Sequence, residues 1–222
     1  MQRIFDVLFS ALVFIMLLPL LLPIMLMLYL TGEGEVFFRQ QRIGKNGKTF
    51  WLMKFATMLK NSPNIGTGTI TLKNDPRVLP LGAFLRKTKI NELPQLFNIM
   101  KGEMSIIGPR PQTQRCFDAF PSQIQKTIIK VRPGLSGIGS IIFRNEEDML
   151  HVQKDASNFY DSVIAPYKGK LEEWYVANQG LLTYFALIFL TVWVVLFSNA
   201  TLVWKLFQKL PKPPEDLRCL VK

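Results

Sequence analysis

The strongest constraint on the fold is an uncharged, apolar run that extends from residue 7 to residue 31 and reads VLFSALVFIMLLPLLLPIMLMLYLT. A helix needs roughly 20 apolar residues to cross a bilayer, so this run is long enough. Pro19 and Pro23 lie near its middle, where a proline removes a backbone hydrogen bond and clashes with the preceding turn. The run is therefore either a kinked spanning helix or a re-entrant helix that enters and leaves on the same side.

A second uncharged segment extends from Trp174 to Trp204 and contains LLTYFALIFLTVWVVLF. Its aromatic residues fit either a span or an interfacial helix. The chain has 27 Lys and Arg against 16 Asp and Glu, a formal net charge of +11, and basic residues lie before, between and after the two segments. Because basic regions favour the cytoplasmic side, we expect both segments to dip into one leaflet of the membrane.

The metal-ligand and cysteine content excludes several kinds of site. His151 is the single histidine, so a site with two histidine ligands is excluded. Cys116 and Cys219 are the two cysteines, and their separation does not match a zinc site. One disulfide is possible by number, but a reduced, cytoplasmic setting is the simpler interpretation.

The region between the hydrophobic segments reads as one compact domain. Residues 36–40 and 49–55 are strand-like and flank Asn46-Gly47, a strong hairpin signal. A polar loop follows over residues 61–74. Its Gly66-Thr67-Gly68 has neither a dinucleotide fingerprint nor a Walker lysine, so a flexible loop is the expected structure.

Residues 79–88 and 91–102 have helical patterns. In the second, Asn91 is suited to the N-cap, Pro94 falls in the first turn and Gly102 ends the helix. Leu93, Leu96, Phe97 and Met100 fall on one helix face. Because three cations, at positions 86, 87 and 89, precede this N-terminus, the pattern favours phosphate binding, and ordinary capping is the alternative.

Two stiff loops carry an arginine each. In Gly108–Pro111 two prolines restrict the backbone around Arg110, and Arg132-Pro133-Gly134 is similar. Arginine's planar fork matches phosphate oxygens, although a surface turn is the alternative for each. Residues 135–143 look like a glycine-rich strand. The acids at 146–148 indicate a solvated helix start, with Mg²⁺ binding as the lesser alternative.

In this order, these motifs resemble the bacterial sugar transferase family, the monotopic phosphoglycosyl transferases. The resemblance covers roughly residues 2–200 and rests on Arg3–Asp6, Lys54–Met58, Lys73–Arg77, Arg86–Gln95, Lys101–Ser105, Gly108–Pro111, Val131–Gly134 and Trp174–Val176.

The resemblance implies an α+β fold in three parts. Residues 1–35 would form a re-entrant membrane helix, broken at a proline that Pro19 matches. Residues 36–173 would form a small, mostly helical catalytic domain with a short β-hairpin. Residues 174–222 would form C-terminal membrane-associated helices and a tail, whose residues from Pro211 onward we expect to be a surface extension.

The resemblance also implies an activity. Such enzymes transfer a sugar-1-phosphate from a UDP-sugar to a polyprenyl phosphate, usually undecaprenyl phosphate, release UMP and require Mg²⁺. This reaction begins the assembly of O-antigen, capsule, exopolysaccharide or glycoprotein glycans. The expected location is the bacterial inner membrane, among membrane lipids, with the catalytic domain facing the cytoplasm, and a homodimer is allowed. A nucleic-acid partner is not expected, since no nucleic-acid module accompanies the basic charge.

The family's catalytic dyad is Asp-Glu, and its aspartate attacks the β-phosphate of the UDP-sugar. Here the pair is Asn91-Glu92, and a neutral amide is a poor nucleophile. Three explanations follow: Glu92 attacks, the lipid phosphate attacks directly while Glu92 holds Mg²⁺, or the protein is a weakly active or non-catalytic scaffold that binds lipid and nucleotide. The other retained motifs favour an active enzyme.

The resemblance assigns the site residues by position. Glu92 and Asn91 form the expected catalytic centre, and Glu92 is also the expected metal ligand. The expected substrate and phosphate ligands are Lys54, Arg77, Arg86, Gln95, Arg110 and Arg132. Residues 137–144 depart from the family pattern, so sugar or nucleotide contacts there transfer less well.

Overall fold

A computed structural model of the chain describes residues 1–65, 75–197 and 200–218. The predicted loop motif Gly66-Thr67-Gly68 lies outside the described residues, as do Lys73-Asn74 and Cys219. The described elements are α1 (Gln2–Thr31), β1 (Phe37–Ile43), β2 (Thr49–Phe55), α2 (Pro80–Lys87), α3 (Gln95–Lys101), β3 (Ser105–Ile107), α4 (Gln114–Asp118), α5 (Ser122–Ile128), β4 (Gly134–Ser136), α6 (Ile138–Ile142), α7 (Glu146–His151), α8 (Ala156–Phe159), a π-helical turn (Tyr160–Ile164), α9 (Ala165–Ala177), α10 (Leu181–Phe197), α11 (Thr201–Leu206) and α12 (Glu215–Arg218), with 3₁₀ turns at Lys45–Gly47, Ser62–Asn64 and Ile90–Glu92. The predicted helix-rich α+β composition with small sheets is confirmed.

The predicted hairpin is present. Strands β1 and β2 pair antiparallel, with Phe37 opposite Phe55 and Ile43 opposite Thr49. In the connecting turn Asn46 and Gly47 adopt φ angles of 59° and 73°, a region that asparagine and glycine tolerate best. Local turn chemistry therefore sets the register of the two strands.

The second sheet forms from the two proline-flanked loops. Strands β3 and β4 pair parallel, Ser105 with Gly134 and Ile107 with Ser136. A Cβ atom on Gly134 would lie 2.1 Å from the Gly108 backbone nitrogen, so glycine is required where the loops meet. The predicted strand over 135–143 is wrong beyond Ser136. Its isoleucines at 138, 141 and 142 are buried in the core at helical spacing, in α6.

Helix α3 ends at Gly102 as predicted, but it begins at Gln95, later than the predicted start at Asn91. Pro94 occupies the N-cap position, and Gly102 terminates the helix with φ 90°. The predicted buried face is wrong in part, because Phe97 is 42% exposed. The buried side instead carries Asn98, whose amide donates to the Trp51 carbonyl (2.8 Å) and accepts from the Met53 backbone (3.0 Å). Asn98 thus fastens α3 to β2.

Helix α1 extends without interruption from Gln2 to Thr31 and includes both prolines. The helix therefore continues through Pro19, where a break was expected. Apolar surroundings offer no other partner for freed backbone groups, so the helical form is favoured even where proline deletes one donor. In the described part of the chain, α1 is the one helix that is long and apolar enough to cross a membrane.

Both ends of α1 contact the same domain. At its start, Arg3 donates to the carbonyls of Ile99 (2.6 Å) and Met100 (3.0 Å) at the end of α3. In its second half, Leu21, Ile24 and Leu28 are buried in a cluster with Phe55 and Leu85. The helix therefore lies along the domain instead of projecting from it, and its outward side chains are apolar and exposed (Leu8, Leu12, Ile15, Met16, Leu22, Leu26 and Leu30).

The segment 174–204 is not one continuous helix, because α9, α10 and α11 divide it. Helix α10 buries Tyr184, Leu187, Leu190 and Val194 against the domain. Its other side leaves large apolar residues exposed at 182, 189, 192 and 196. The Phe185 ring packs 5.1 Å from that of Phe5 in α1, so the two apolar helices are neighbours on the domain.

The tail from Pro211 onward, predicted to be a surface extension, is exposed at residues 212, 214–216 and 218. Leu210 and Leu217 are both buried, and the Tyr167 hydroxyl donates to the Pro211 carbonyl (2.9 Å). Leu217 therefore anchors an otherwise largely exposed tail to the core by burying apolar area.

A buried carboxylate joins α1 to the domain. Asp6 is 2% exposed. It accepts hydrogen bonds from the Ser105 hydroxyl (2.9 Å), the Ile106 backbone (3.0 Å) and the Tyr184 hydroxyl (3.0 Å). These donors belong to β3 and α10, so one side chain ties three elements together.

Replacing Asp6 by Ala is expected to lower the free energy of unfolding by about 3 kcal/mol, because three buried donors lose their acceptor. Thermal unfolding of the detergent-solubilised protein measures this as a fall in Tm. The exposed acid Asp118, replaced by Ala, is the control and should leave Tm unchanged. Equal Tm values for the two variants would contradict this role of Asp6.

Candidate functional site

The site forms around Glu92, in the 3₁₀ turn between α2 and α3. The Glu92 Oε1 atom lies 3.0 Å from the Lys54 ammonium of β2 and 3.3 Å from the Arg110 guanidinium. The side chains of Glu92 and Lys54 are 14% and 19% exposed. Three predicted residues from distant parts of the sequence therefore meet in one partly enclosed place.

The surrounding charges keep Glu92 ionised. Burial alone would raise its pKa, but the positive charges of Lys54, Arg110 and Lys89 outweigh burial and hold the pKa of Glu92 well below its usual range. The site therefore presents a carboxylate anion throughout the physiological pH range.

Positive charge exceeds negative charge here. Burial lowers the pKa of Lys54 to about 8, with Glu92 opposing the shift and the nearby arginines adding to it. Burial, and then Arg110, lower the pKa of Arg42 to about 10. Buried cations that lie close to one another are costly to hold together. Such an arrangement is suited to binding an anion.

Arg42 was missed by the sequence reasoning. It lines a small pocket together with Leu52, Lys54, Gln95, Arg110 and Pro111. Its guanidinium donates to the Pro111 carbonyl (3.1 Å), while its buried Nε atom has no hydrogen-bond partner in the described part of the chain. The register of the predicted hairpin could have indicated Arg42 as a site residue. Phe38 lies opposite Lys54, and Arg42 lies four residues further along the same face of β1.

The two stiff loops support Arg110. The Gly108 backbone donates to the Ser136 carbonyl (2.9 Å), and the Gly134 backbone donates to the Pro109 carbonyl (2.8 Å). The predicted stiffness thus comes from pairing between the loops as well as from proline. This pairing places the Arg110 guanidinium against Glu92, while the side chain keeps 37% of its surface exposed.

Asn91 does not cap α3, so the capping interpretation is wrong. Lys89 adopts a left-handed conformation with φ 60°, and the separate turn Ile90–Glu92 precedes the helix. Asn91 is 5% exposed, and its Oδ1 atom has no hydrogen-bond partner among the described residues. The turn that carries Glu92 therefore also holds an unpaired amide oxygen, next to Glu92 in the sequence.

Arg77 and Arg132 lie away from Glu92, and their roles in phosphate binding stay predictions. Arg77 pairs with Asp75 through two contacts (2.8 and 2.5 Å) and donates to the Ser62 carbonyl. Arg132 donates to the Gly102 carbonyl (2.8 Å), at the far end of α3 from Glu92. Both guanidiniums hold loops of their own chain, which spacing along the sequence does not reveal.

Arg86 and the acidic run lie at the edge of the site. The Arg86 guanidinium pairs with Glu147 (2.6 Å), and its charge acts on Lys89. Glu146 pairs with Lys168. The acidic run therefore supplies partners for basic side chains, and its suggested Mg²⁺ role gains no support.

The residues at Glu92 fit a metal ion that arrives with phosphate. In the described part of the chain no three metal-ligating side chains come together, so a dedicated protein cage is not present there. Mg²⁺ usually binds one or two carboxylates and completes its shell with water and substrate phosphates. The Glu92 carboxylate and the unpaired Asn91 oxygen match this need.

Comparison with known proteins adds a family context. The sequence profile described as bacterial sugar transferase matches residues 1–198. The chain is 34% identical to exopolysaccharide production protein ExoY of Sinorhizobium fredii over 90% of this chain and 87% of that protein. It is 31% identical to the undecaprenyl-phosphate galactose phosphotransferase of Salmonella typhimurium, and covers 40% of that protein. It is 36% identical to the UDP-glucose:undecaprenyl-phosphate glucose-1-phosphate transferase of Escherichia coli, and covers 35% of it. The chain thus spans less than half the length of these last two relatives.

Proposed function

The chain belongs to the bacterial sugar transferase family, and from this premise we propose that it transfers a sugar-1-phosphate from a UDP-sugar to undecaprenyl phosphate and releases UMP. The observation that carries the proposal is the excess of cations around one ionised carboxylate at Glu92. Both substrates bear phosphate, and a site of this charge attracts them. Relatives whose names specify undecaprenyl phosphate support the choice of acceptor.

The lipid acceptor is supported by what borders the site. Ile90 and Leu93, on either side of the Asn91-Glu92 pair, pack against the cluster formed with the second half of α1. The opposite side of α1 exposes apolar residues. An acceptor whose chain lies in the membrane could therefore present its phosphate to Glu92 without leaving the bilayer.

In the proposed reaction, an oxygen attacks the phosphorus that carries the sugar. The bond from this phosphorus to the bridging oxygen breaks, and UMP leaves with the electron pair. Lys54, Arg110 and Arg42 would stabilise the charge on the phosphate oxygens. Glu92 and the Asn91 oxygen would hold Mg²⁺, which would neutralise diphosphate charge when bound.

Two attacking groups fit this scheme, since Asn91 is a neutral amide. Either Glu92 attacks and carries the phospho-sugar before the lipid takes it, or the lipid phosphate attacks directly. UMP released in the absence of lipid, with a mass gain of one phospho-sugar on a Glu92 peptide, would select the first route. UMP release that strictly requires lipid selects the second.

The function is tested by UMP release from the purified full chain in nanodiscs with undecaprenyl phosphate, Mg²⁺ and a panel of UDP-sugars. Turnover with one sugar, dependent on lipid and Mg²⁺, is expected. Asn91→Asp serves as a parallel arm that restores the family dyad. Turnover by this variant alone would make the natural protein a binding scaffold, and turnover by neither would overturn the proposal.

We propose that the protein lies in the inner membrane with its domain on the cytoplasmic side and with both ends of α1 on that side. Contact of both ends of α1 with one domain supports this topology. A cysteine added ahead of Met1 and a Glu33→Cys variant, each with Cys219→Ser, should both resist an impermeant maleimide in intact spheroplasts. Neither end of α1 crosses the membrane in this topology, so both cysteines should react only after lysis. Labelling of either cysteine in intact cells would contradict the topology.

A further inference from the structure

A second carboxylate lies behind the Arg110 loop. Glu172, in α9, is 1% exposed. Its Oε1 atom accepts a hydrogen bond from the Arg110 backbone nitrogen (3.3 Å). Its Oε2 atom has no hydrogen-bond partner in the described part of the chain. This residue was not singled out from the sequence and does not contact Glu92.

The neighbouring helix is shaped to admit this carboxylate. A Cβ atom on Gly139 of α6 would lie 2.4 Å from the Glu172 Oε1 atom and 3.1 Å from its carboxyl carbon. A larger residue at 139 would therefore push the carboxylate away from the Arg110 backbone. The space left by glycine at 139 is thus filled by the carboxylate of Glu172.

A buried, half-paired carboxylate is costly for stability. Burial raises the pKa of Glu172 to about 7, while the hydrogen bond from Arg110 and the charges of Lys168 and Arg110 oppose the shift. Lys168 itself pairs with Glu146 of α7. The negative charge of Glu172 also acts on Tyr175 of α9. An apolar residue would avoid this cost, so a role beyond folding explains the acid better.

We propose that Glu172 is a positioning residue for the reaction, which holds the Arg110 main chain so that the guanidinium meets Glu92 and substrate phosphate. The inference rests on the proposed function for its catalytic consequence. The ionised carboxylate makes the stronger hydrogen bond to the Arg110 nitrogen. The ionised form of Glu172 therefore holds the loop best.

Three variants test the role in the full chain in nanodiscs. Glu172→Leu removes the acceptor and should lower kcat for UMP release by about 10-fold to 100-fold. Glu172→Gln keeps an acceptor oxygen and should retain most activity, but lose the rise in kcat that titration of Glu172 gives the wild type near pH 7. Glu173→Gln, a neighbouring acid that accepts from Thr127, is the matched control and should behave as wild type. A wild-type kcat for Glu172→Leu, or the same pH profile for Glu172→Gln and wild type, would overturn the inference.

A measurement without activity separates this inference from the proposed function. Hydrogen exchange at the Arg110 amide should be faster in Glu172→Leu than in wild type, and unchanged in Glu173→Gln. The folded-state pKa of Glu172 is raised, so the wild type loses stability as pH rises from the unfolded-state value to about 7. The Tm of Glu172→Gln relative to wild type should therefore increase between pH 5 and pH 8. Unchanged exchange at Arg110 would refute the positioning role even if UMP release is established, and absent UMP release would refute the function while leaving the contact intact.

Discussion

Replacing Glu92 by Gln is expected to reduce kcat for UMP release by about 10³-fold, the scale of losing a catalytic group or a charge that orders the reacting atoms. The change removes the carboxylate that contacts both Lys54 and Arg110. Under either mechanism the reaction fails, because Glu92 is the attacking group or the ligand that orients Mg²⁺. The measurement is initial rate with saturating UDP-sugar and lipid.

Binding distinguishes a chemical role of Glu92 from a folding role. Loss of the negative charge leaves Lys54 and Arg110 without the carboxylate that both contact, so affinity for a UDP-sugar in the absence of Mg²⁺ should stay equal or increase. Isothermal titration without lipid measures that affinity. Glu215→Gln, an exposed acid in α12, is the control and should keep wild-type kcat. Full turnover by Glu92→Gln would remove Glu92 from the mechanism.

Replacing Arg110 by Lys should reduce kcat/KM by about 10²-fold, even though the charge is kept. A guanidinium can contact Glu92 and a phosphate at once through its planar fork, whereas an ammonium offers one point charge. The loop cannot move to compensate, because its backbone pairs with Ser136 and Gly134. Arg110→Met should lose more activity than Arg110→Lys, since it also removes the charge.

The control for Arg110 is Arg115→Lys. Arg115 pairs with Asp161 at the surface (3.0 Å), and this substitution should leave both kcat and Tm unchanged. If Arg110→Lys retained wild-type kcat/KM, charge alone would be sufficient and the planar shape of the guanidinium would play no part.

Local chemistry made several elements predictable. The Asn46-Gly47 turn, the helix within residues 79–88 and the end of α3 at Gly102 depend on residues a few positions apart. The predictions for Lys54, Glu92 and Arg110 also led to one place, but through family resemblance. Spacing alone gives no reason for residues 54, 92 and 110 to meet.

The errors arose where contacts between distant segments override local preference. Asn91 has the right type and position for an N-cap, yet the left-handed Lys89 forms a separate turn and buries it. Arg77 and Arg132 were predicted as phosphate ligands from the family pattern, and the structure places them against Asp75 and the Gly102 carbonyl, away from Glu92. Composition and motif cannot show which donors the chain has already used.

The sequence by itself determined that the chain has one long apolar helix, a hairpin and an excess of positive charge, because periodicity, turn chemistry and composition act over short distances. Only the tertiary structure decided that α1 lies along the domain, that Arg42 joins Lys54 and Arg110, and that Glu172 supports the Arg110 loop. These features depend on packing between segments that lie up to about a hundred residues apart. Which buried charge faces which partner is a property of that packing and not of any local pattern.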